Sequence, residues 1–457
     1  MLKPSVLKEL KSIVGPANFS TSPEELVVYS YDATRRESLP WVVVRPRSSR
    51  EVSEILMLAN RERFPVVPRG AGTGMSGGSV PVQGGVVLSL ERMNHILEID
   101  EQDFIAVVEP GVITGNLQQE VESRGLFYPP DPASRAFCTL GGNVAECAGG
   151  LRAVKYGVTK DYVLSLEVVL PTGEIINTGA RTVKSVAGYD LTKLIVGSEG
   201  TLGVVTRITV RLLRLPGSVR TLAAFFNDVP TAAKTASAIV ASGVLPRALE
   251  FVDQAALRAV EGYLKEDLSQ GASAMLLVEV DGTAEATARE ADQAAEIMTR
   301  AGAVRVKRAE TDTEREQLWK ARRSISPALY TIKPKKLNED IVVPRSRIAE
   351  SLREIAAIAE RHRLLIVNFG HAGDGNIHTN IMFDEGDMPK AEAAVKEIFA
   401  SILRLGGSIT GEHGIGLSKA AYLPMELGQE TLAVMKRIKH AFDPNNILNP
   451  GKIFLET

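Results

Sequence analysis

His371 and His378 bracket the octapeptide His-Ala-Gly-Asp-Gly-Asn-Ile-His, and two imidazoles at that spacing can serve one metal ion. The flanking runs, 364–369 and 377–383, are apolar and strand-like. Asp374-Gly375 between them is a preferred two-residue hairpin turn, because both central positions of a type I′ turn need φ > 0. Such a turn pairs Gly373 with Asn376 and Ala372 with Ile377, and sets His371 directly opposite His378. Opposed Cβ atoms then lie roughly 4.5–5.5 Å apart on one face, and imidazole nitrogens bind zinc at about 2.0–2.1 Å. Period-two alternation puts Asn376 and Asn380 on that face too. Downstream, Gly411-Glu412-His413-Gly414-Ile415-Gly416 offers a carboxylate and a third imidazole in a glycine-rich loop. Two histidines and one carboxylate with open positions suit catalytic zinc, and equally iron or manganese. The bland alternative is a hydrogen-bonded surface pair of histidines. The glycines around Glu412 and His413 weigh against it, since they permit close backbone approach to something bound.

Three regions must position these groups. In the first, to about residue 216, Trp41 to Val44 reads as a strand. Ser49 caps a helix whose Val52, Ile55, Leu56 and Leu58 fall near one face. Phe64 to Val67 is a second strand, completing a β-α-β unit, and further strands are expected at 86–90, 105–108, 163–170 and 204–212. Glycine-rich loops concentrate here, at 70–78, 141–150 and 197–203, and loops of this kind usually bind something. In the second region, about 217–418, alanine-rich helices (231–241, 284–301, 346–362, 390–404) alternate with strands (221–226, 247–252, 274–280, 303–307). Allowing for a short helix at 254–264, the order is β-α-β-β-α-β, which is ferredoxin-like and predicts an antiparallel sheet with helices on one face. The last region, 419–457, holds one helix (429–441) and an Asn449-Pro-Gly-Lys tail. The fold class is α+β.

Composition excludes several functions. The chain has 457 residues, 44% hydrophobic and 24% charged, with a formal net charge of −2, which gives no electrostatic case for nucleic acid or an anionic membrane. No apolar run approaches the ~20 residues of a membrane span, and Met1-Leu-Lys-Pro-Ser does not begin a signal peptide. Cys138 and Cys147 are the only cysteines. That argues for a reducing, cytoplasmic setting and against a four-cysteine iron–sulfur cluster in this chain.

The loop Arg69-Gly70-Ala71-Gly72-Thr73-Gly74-Met75-Ser76-Gly77-Gly78 contains a nominal dinucleotide fingerprint, Gly72-x-Gly74-x-x-Gly77. A Rossmann site needs a helix after its loop. Here Gly77-Gly78-Ser-Val-Pro81 and Gly84-Gly85 follow, so no helix can start and the match is rejected. The loop can still bind phosphate, because successive backbone N–H groups in a glycine-rich turn form an anion nest.

These motifs together resemble the FAD-linked oxidases of the vanillyl-alcohol oxidase type, in the branch of bacterial glycolate oxidase D-subunits and FAD-dependent D-lactate and D-2-hydroxyglutarate dehydrogenases. The resemblance spans nearly the whole chain. The loop 69–78 is similar to the pyrophosphate loop. Asp131 and Ser134, with Thr139, Gly141, Gly142, Asn143, Ala145, Gly149 and Gly150, resemble a second flavin stretch. Lys184 to Asp190, and Gly197 to Val204 with Glu199, Gly200, Gly203 and Val204, resemble a third. Pro110, Gly111, Tyr156, Gly157 and Asn449 complete the implied cofactor contacts. The resemblance implies a two-subdomain FAD-binding fold with an antiparallel ferredoxin-like cap and a C-terminal segment returning to the FAD domain. Without a histidine in 69–78, the FAD is expected to be non-covalent.

The same resemblance makes His371, His378 and Glu412 ligands of a divalent metal, zinc first, and His413 the general base. A small 2-hydroxy acid, glycolate or D-lactate, would lose its hydroxyl proton to His413 and pass hydride to flavin N5. Arg322 would grip the substrate carboxylate, with Arg323 beside it as the competitor, and Asn380 would contact substrate or orient a ligand. One of Lys333, Lys335 and Lys336 would add a second cation. Electrons would leave to an iron–sulfur subunit, an electron-transfer flavoprotein or a quinone, so a partner subunit is the route to any membrane association. Three alternatives stay open: oxidation of a dicarboxylate such as D-2-hydroxyglutarate, a non-catalytic flavin subunit, and a metallohydrolase.

Overall fold

The computed structural model describes residues 2–455, and they form two compact units. The first holds the chain up to Ala148, Val158–Leu215 and the residues from Glu412 on; the second holds Gly149–Gly157 and Pro216–Gly411. Among the described residues no helix is long and apolar enough to cross a membrane.

The first unit contains two sheets and a ribbon. Strands β1 (Phe19–Ser20), β2 (Val42–Val44), β3 (Val66–Arg69) and β4 (Val86–Ser89) are ordered β1-β2-β4-β3, with β2, β4 and β3 parallel. The helix Ser49–Glu62 links β2 to β3 as expected, but its cap is Ser48, whose Oγ accepts from Glu51 N at 3.3 Å. Its Val52, Ile55, Leu56 and Leu58 are fully buried against Val42, Val44, Val66, Val86 and Leu88. Ile447 and Leu448 join this core, and Leu448 bridges to Val66, so the C-terminal segment extends the β3 edge. The second sheet is antiparallel: β5 (Ile96–Asp100), β6 (Ile105–Val108), β8 (Val163–Val169), β9 (Ile175–Gly179) and β10 (Val204–Arg211), in the order β5-β6-β10-β8-β9. Strands β7 (Leu126–Phe127) and β11 (Leu213–Arg214) form the ribbon. No helix forms between β3 and β4, so the Rossmann match is false in the structure as well.

The second unit is built on a seven-stranded antiparallel sheet. Its strands are β12 (Ser218–Phe226), β13 (Ala248–Asp253), β14 (Ala274–Gly282), β15 (Arg305–Arg308), β16 (Lys335–Val342), β17 (Leu365–His371) and β18 (Asn376–Phe383). The order is β15-β12-β14-β13-β17-β18-β16. The first four strands keep the ferredoxin-like arrangement, and the hairpin β17–β18 with β16 widens the sheet beyond β13. The expectation of helices on one face fails for a visible reason. Strands β13 and β18 are buried at every residue, which requires cover on both faces. One cover comes from the helices Gln254–Leu264, Asp312–Arg323 and Ile325–Leu329, whose Leu257, Val260, Trp319 and Leu329 pack with Val252, Met275, Val367 and Phe369.

Candidate metal and flavin sites

The histidine hairpin forms, but in a different register from the one expected. His371 pairs with Asn376 and Phe369 with His378, so the loop is the four residues 372–375 rather than two. Gly375 alone has a left-handed φ, +91°, whereas Asp374 does not, which rules out the type I′ turn. The shift is by two residues, and because side chains alternate with period two it returns both histidines to one face. Their ring centroids lie 5.2 Å apart at 84°, diagonal rather than opposed.

Glu412 is hung from the same sheet. Strand β16 pairs Asp340 with His378, and Asp340 holds the chain leading to Glu412. Its backbone oxygen and its Oδ2 each accept from Gly411 N at 2.9 Å, and both carboxylate oxygens accept from Thr410 Oγ1 at 3.1 Å. One ligand atom from each of His371, His378 and Glu412 then falls within 4.8 Å of the others. Two imidazoles and a carboxylate at that spacing, the histidines buried, fit a divalent ion with open positions.

Behind His371 stands a residue that the sequence pattern does not reveal. Glu250, fully buried on β13 and in register with His371, accepts from His371 Nδ1 at 2.7 Å. Its other oxygen, Oε2, accepts from Arg322 Nε at 2.7 Å and Nη2 at 2.6 Å. Arg322 is buried, stacked 4.7 Å from the Phe369 ring centre, while Arg323 pairs with Glu316 at the surface. The helix carrying Arg322 is capped by Thr311 with Glu314, and is docked by Trp319 Nε1 donating to Glu279 Oε2 at 2.8 Å. Of the three lysines, Lys333 and Lys335 form exposed pairs with Asp384 and Glu385. Lys336 instead lies opposite Met382, on the His378 face, and donates to Ser326 Oγ at 2.8 Å. Asn380 is fully buried and donates to His378 O at 3.0 Å and Val367 O at 3.3 Å, bracing the strand that presents His378.

In the first unit the expected flavin stretches meet. A side chain at Gly70 would stand 2.3 Å from Thr139 Oγ1, and one at Gly141 would stand 2.6 Å from Pro110 Cβ. Gly141 N donates to Pro110 O, and Gly111 N to Met93 O. The apparent loop at 141–150 begins as a short helix, Leu140–Glu146, because Thr139 Oγ1 caps it by accepting from Gly142 N; Asn143 Nδ2 donates to Thr114 Oγ1. A cavity of about 810 Å³ opens beside Gly70, Ala71, Gly111 and Thr139, with Asn94 and His95 also in its wall. Asn449 Nδ2 ties Gly78 O to Glu199 O, at 3.0 and 2.8 Å. Glu199, left-handed at φ +53°, accepts from Ile415 N at 2.8 Å and Gly416 N at 2.6 Å, and so clamps the loop that carries His413. Gly200, Gly203 and Val204 follow it into β10, and Asp131 pairs with Arg135 at 2.8 Å on the turn holding Ser134. Gly149, Gly150, Tyr156 and Gly157 belong to the second unit, where Tyr156 Oη donates to Asp281 Oδ2 at 2.8 Å.

Three polar atoms near the glycine loop, Asp32 Oδ2, Ser76 Oγ and Glu146 Oε2, are buried without a protein partner. Burial, then the Glu199 and Asp32 carboxylates, pushes the Glu146 carboxyl well above its usual range. Burial lowers Lys452 to about 8, against the pull of Asp32, Glu199 and Glu146. Glycines in close contact and polar groups awaiting a partner fit a bound cofactor that brings hydrogen-bonding groups of its own.

Comparison with known proteins shows the family of the chain. Residues 40–179 match the model of an FAD binding domain, and residues 215–453 match the C-terminal domain of FAD linked oxidases. The chain is 48% identical to glycolate oxidase subunit GlcD of Bacillus subtilis, covering 99% of this chain and 97% of that one. It is 38% identical to D-lactate dehydrogenase of Anaerostipes hadrus, covering 94% and 91%. Among solved structures it resembles p-cresol methylhydroxylase with a TM-score of 0.83 at 18% identity, covering 99% and 96%, a likeness of fold.

Proposed function

The chain belongs to the FAD-linked oxidases, and on that premise we propose that it oxidises a small 2-hydroxy acid, glycolate or D-lactate, to the 2-oxo acid with the help of a divalent metal, zinc first. The observation that carries the metal half of this reading is the convergence of His371, His378 and Glu412 within 4.8 Å. The relatives' names, a glycolate oxidase subunit and a D-lactate dehydrogenase, support the substrate class.

Bound FAD supplies the hydride acceptor at N5, and the bound ion supplies a Lewis acid that acidifies the substrate hydroxyl. The chain's own residues do the rest. His413 accepts the hydroxyl proton, and Glu199 holds its loop by gripping two amides downstream. Arg322 supplies a fixed cation for the carboxylate, as arginine does well. Nε and one Nη2 hydrogen already go to Glu250, so the two Nη1 hydrogens and the second Nη2 hydrogen are what it offers. Lys336 is the second cation, since it alone of the three lysines lies on the histidine face. The glycines of 70–78, with Thr139 and Asn449, seat a dissociable FAD. Electrons leave through an external acceptor, and the word "subunit" in a relative's name favours a separate protein for that step. We place the protein in the cytoplasm.

Chelation tests the reading. Incubation with a strong chelator should leave FAD in place and stop flavin reduction by glycolate and D-lactate, and added zinc should restore it. Unchanged reduction after complete metal removal would overturn the metal-assisted mechanism.

A further inference from the structure

Glu250 joins the proposed metal site to the proposed substrate cation. It is fully buried, its Oε1 is 2.7 Å from His371 Nδ1, and its Oε2 takes both Nε and Nη2 of Arg322. A histidine that binds a metal through one ring nitrogen needs its tautomer fixed at the other, and a carboxylate acceptor does this while raising the basicity of the ligating nitrogen. Glu250 meets that requirement from inside the sheet. Residue 250 pairs with residue 371 across adjacent strands, so the contact is set by register and not by a mobile loop. Arg322 compensates the buried charge, and its guanidinium is in turn oriented by the same carboxylate.

We propose that Glu250 is a positioning residue of the active site, which presents His371 to the metal through Nε2 and fixes Arg322 beside it. The proposal rests on the metal reading above. It predicts that affinity for the ion, measured with the metal alone, depends on a residue that would never touch it.

The experiment uses the FAD-loaded full chain, with zinc affinity read by competition against a chromophoric chelator and the imidazole count read by X-ray absorption at the zinc edge. Glu250→Gln with Arg322→Met keeps an acceptor for His371 Nδ1 and leaves no buried charge unpaired, so it should keep two imidazoles and hold zinc more tightly than the variant that lacks the acceptor. Glu250→Met with Arg322→Met removes both buried charges together, so no uncompensated ion is left to unfold the protein. That second variant should keep its FAD, lose about 10- to 100-fold in zinc affinity, the usual worth of an outer carboxylate, and show a reduced imidazole count. A folded, FAD-loaded Glu250→Met, Arg322→Met variant that binds zinc as tightly as wild type, with two imidazoles, overturns the inference alone. So does a Glu250→Gln, Arg322→Met variant that is equally well folded but falls as far as the Glu250→Met, Arg322→Met variant. A wild-type protein that takes up no zinc overturns the metal reading, and this inference with it.

Discussion

Gly375→Ala should disable the metal site without touching the flavin. Gly375 has φ +91°, and a Cβ there would stand 2.0 Å from the backbone oxygen of Val343. Forcing an L residue into the left-handed region costs about 1–2 kcal/mol. The overlap must also push Val343 away, breaking the 3.1 Å bond from Val343 N to Gly375 O, for about 1 kcal/mol more. Together these disfavour the native loop by roughly 2–3 kcal/mol, a factor of about 30 to 150 at 1.4 kcal/mol per decade. The loop joins the strands that carry His371 and His378, so zinc affinity should fall by a similar factor, and turnover at limiting zinc with it. FAD content should stay at one per chain. Gly386→Ala, where a Cβ meets nothing within 4 Å, is the control and should change neither quantity. A Gly375→Ala protein that binds zinc within threefold of wild type would refute the claim that this turn sets the ligand geometry.

Other consequences are as direct. Glu412→Ala should lose metal, whereas His413→Asn should keep metal and substrate binding but slow flavin reduction by roughly 10²-fold or more, the usual worth of a general base; equal metal loss in both would make His413 a ligand. Acid or heat should release FAD from the precipitated protein, and flavin that stays with the polypeptide would show a covalent link. Asp253 caps the helix Gln254–Leu264, and burial raises its carboxyl from 3.8 to about 6 against the donors Ala256 N and Asn368 N. A raised carboxyl stabilises the fold fully below about pH 4, and that contribution is lost as pH rises through 6, up to roughly 3 kcal/mol in all. Asp253→Asn, which keeps a capping acceptor, should flatten unfolding free energy across this window relative to wild type; an unchanged pH slope would contradict the assignment.

How much was legible in the chain depended on how local each signal was. Period-two alternation puts His371 and His378 on one face with either turn, because a two-residue slip preserves the face. The glycine runs marked 70–78 and 139–150 as close-packed, yet hid the helix Leu140–Glu146, since glycine has poor helix propensity and only the Thr139 cap signals it. Strand β16 is hidden in the sequence because charged Lys335, Lys336, Glu339 and Asp340 mask its pattern; Lys336 and Asp340 lie on the face of His378, while Lys335 pairs with Glu385 at the surface. Glu250 lies 121 residues from His371, and only the register of β13 with β17 brings them together. The same applies to Lys336, chosen among three neighbours by which face of the strand it occupies.

The most direct test of the central claim is anaerobic reduction of the bound flavin by a panel of D- and L-2-hydroxy acids. Glycolate or D-lactate should bleach the flavin within the dead time of turnover, and L-lactate should not. Fast bleaching by L-lactate with none by glycolate or D-lactate would contradict the account, as would a flavin that none of the three reduces.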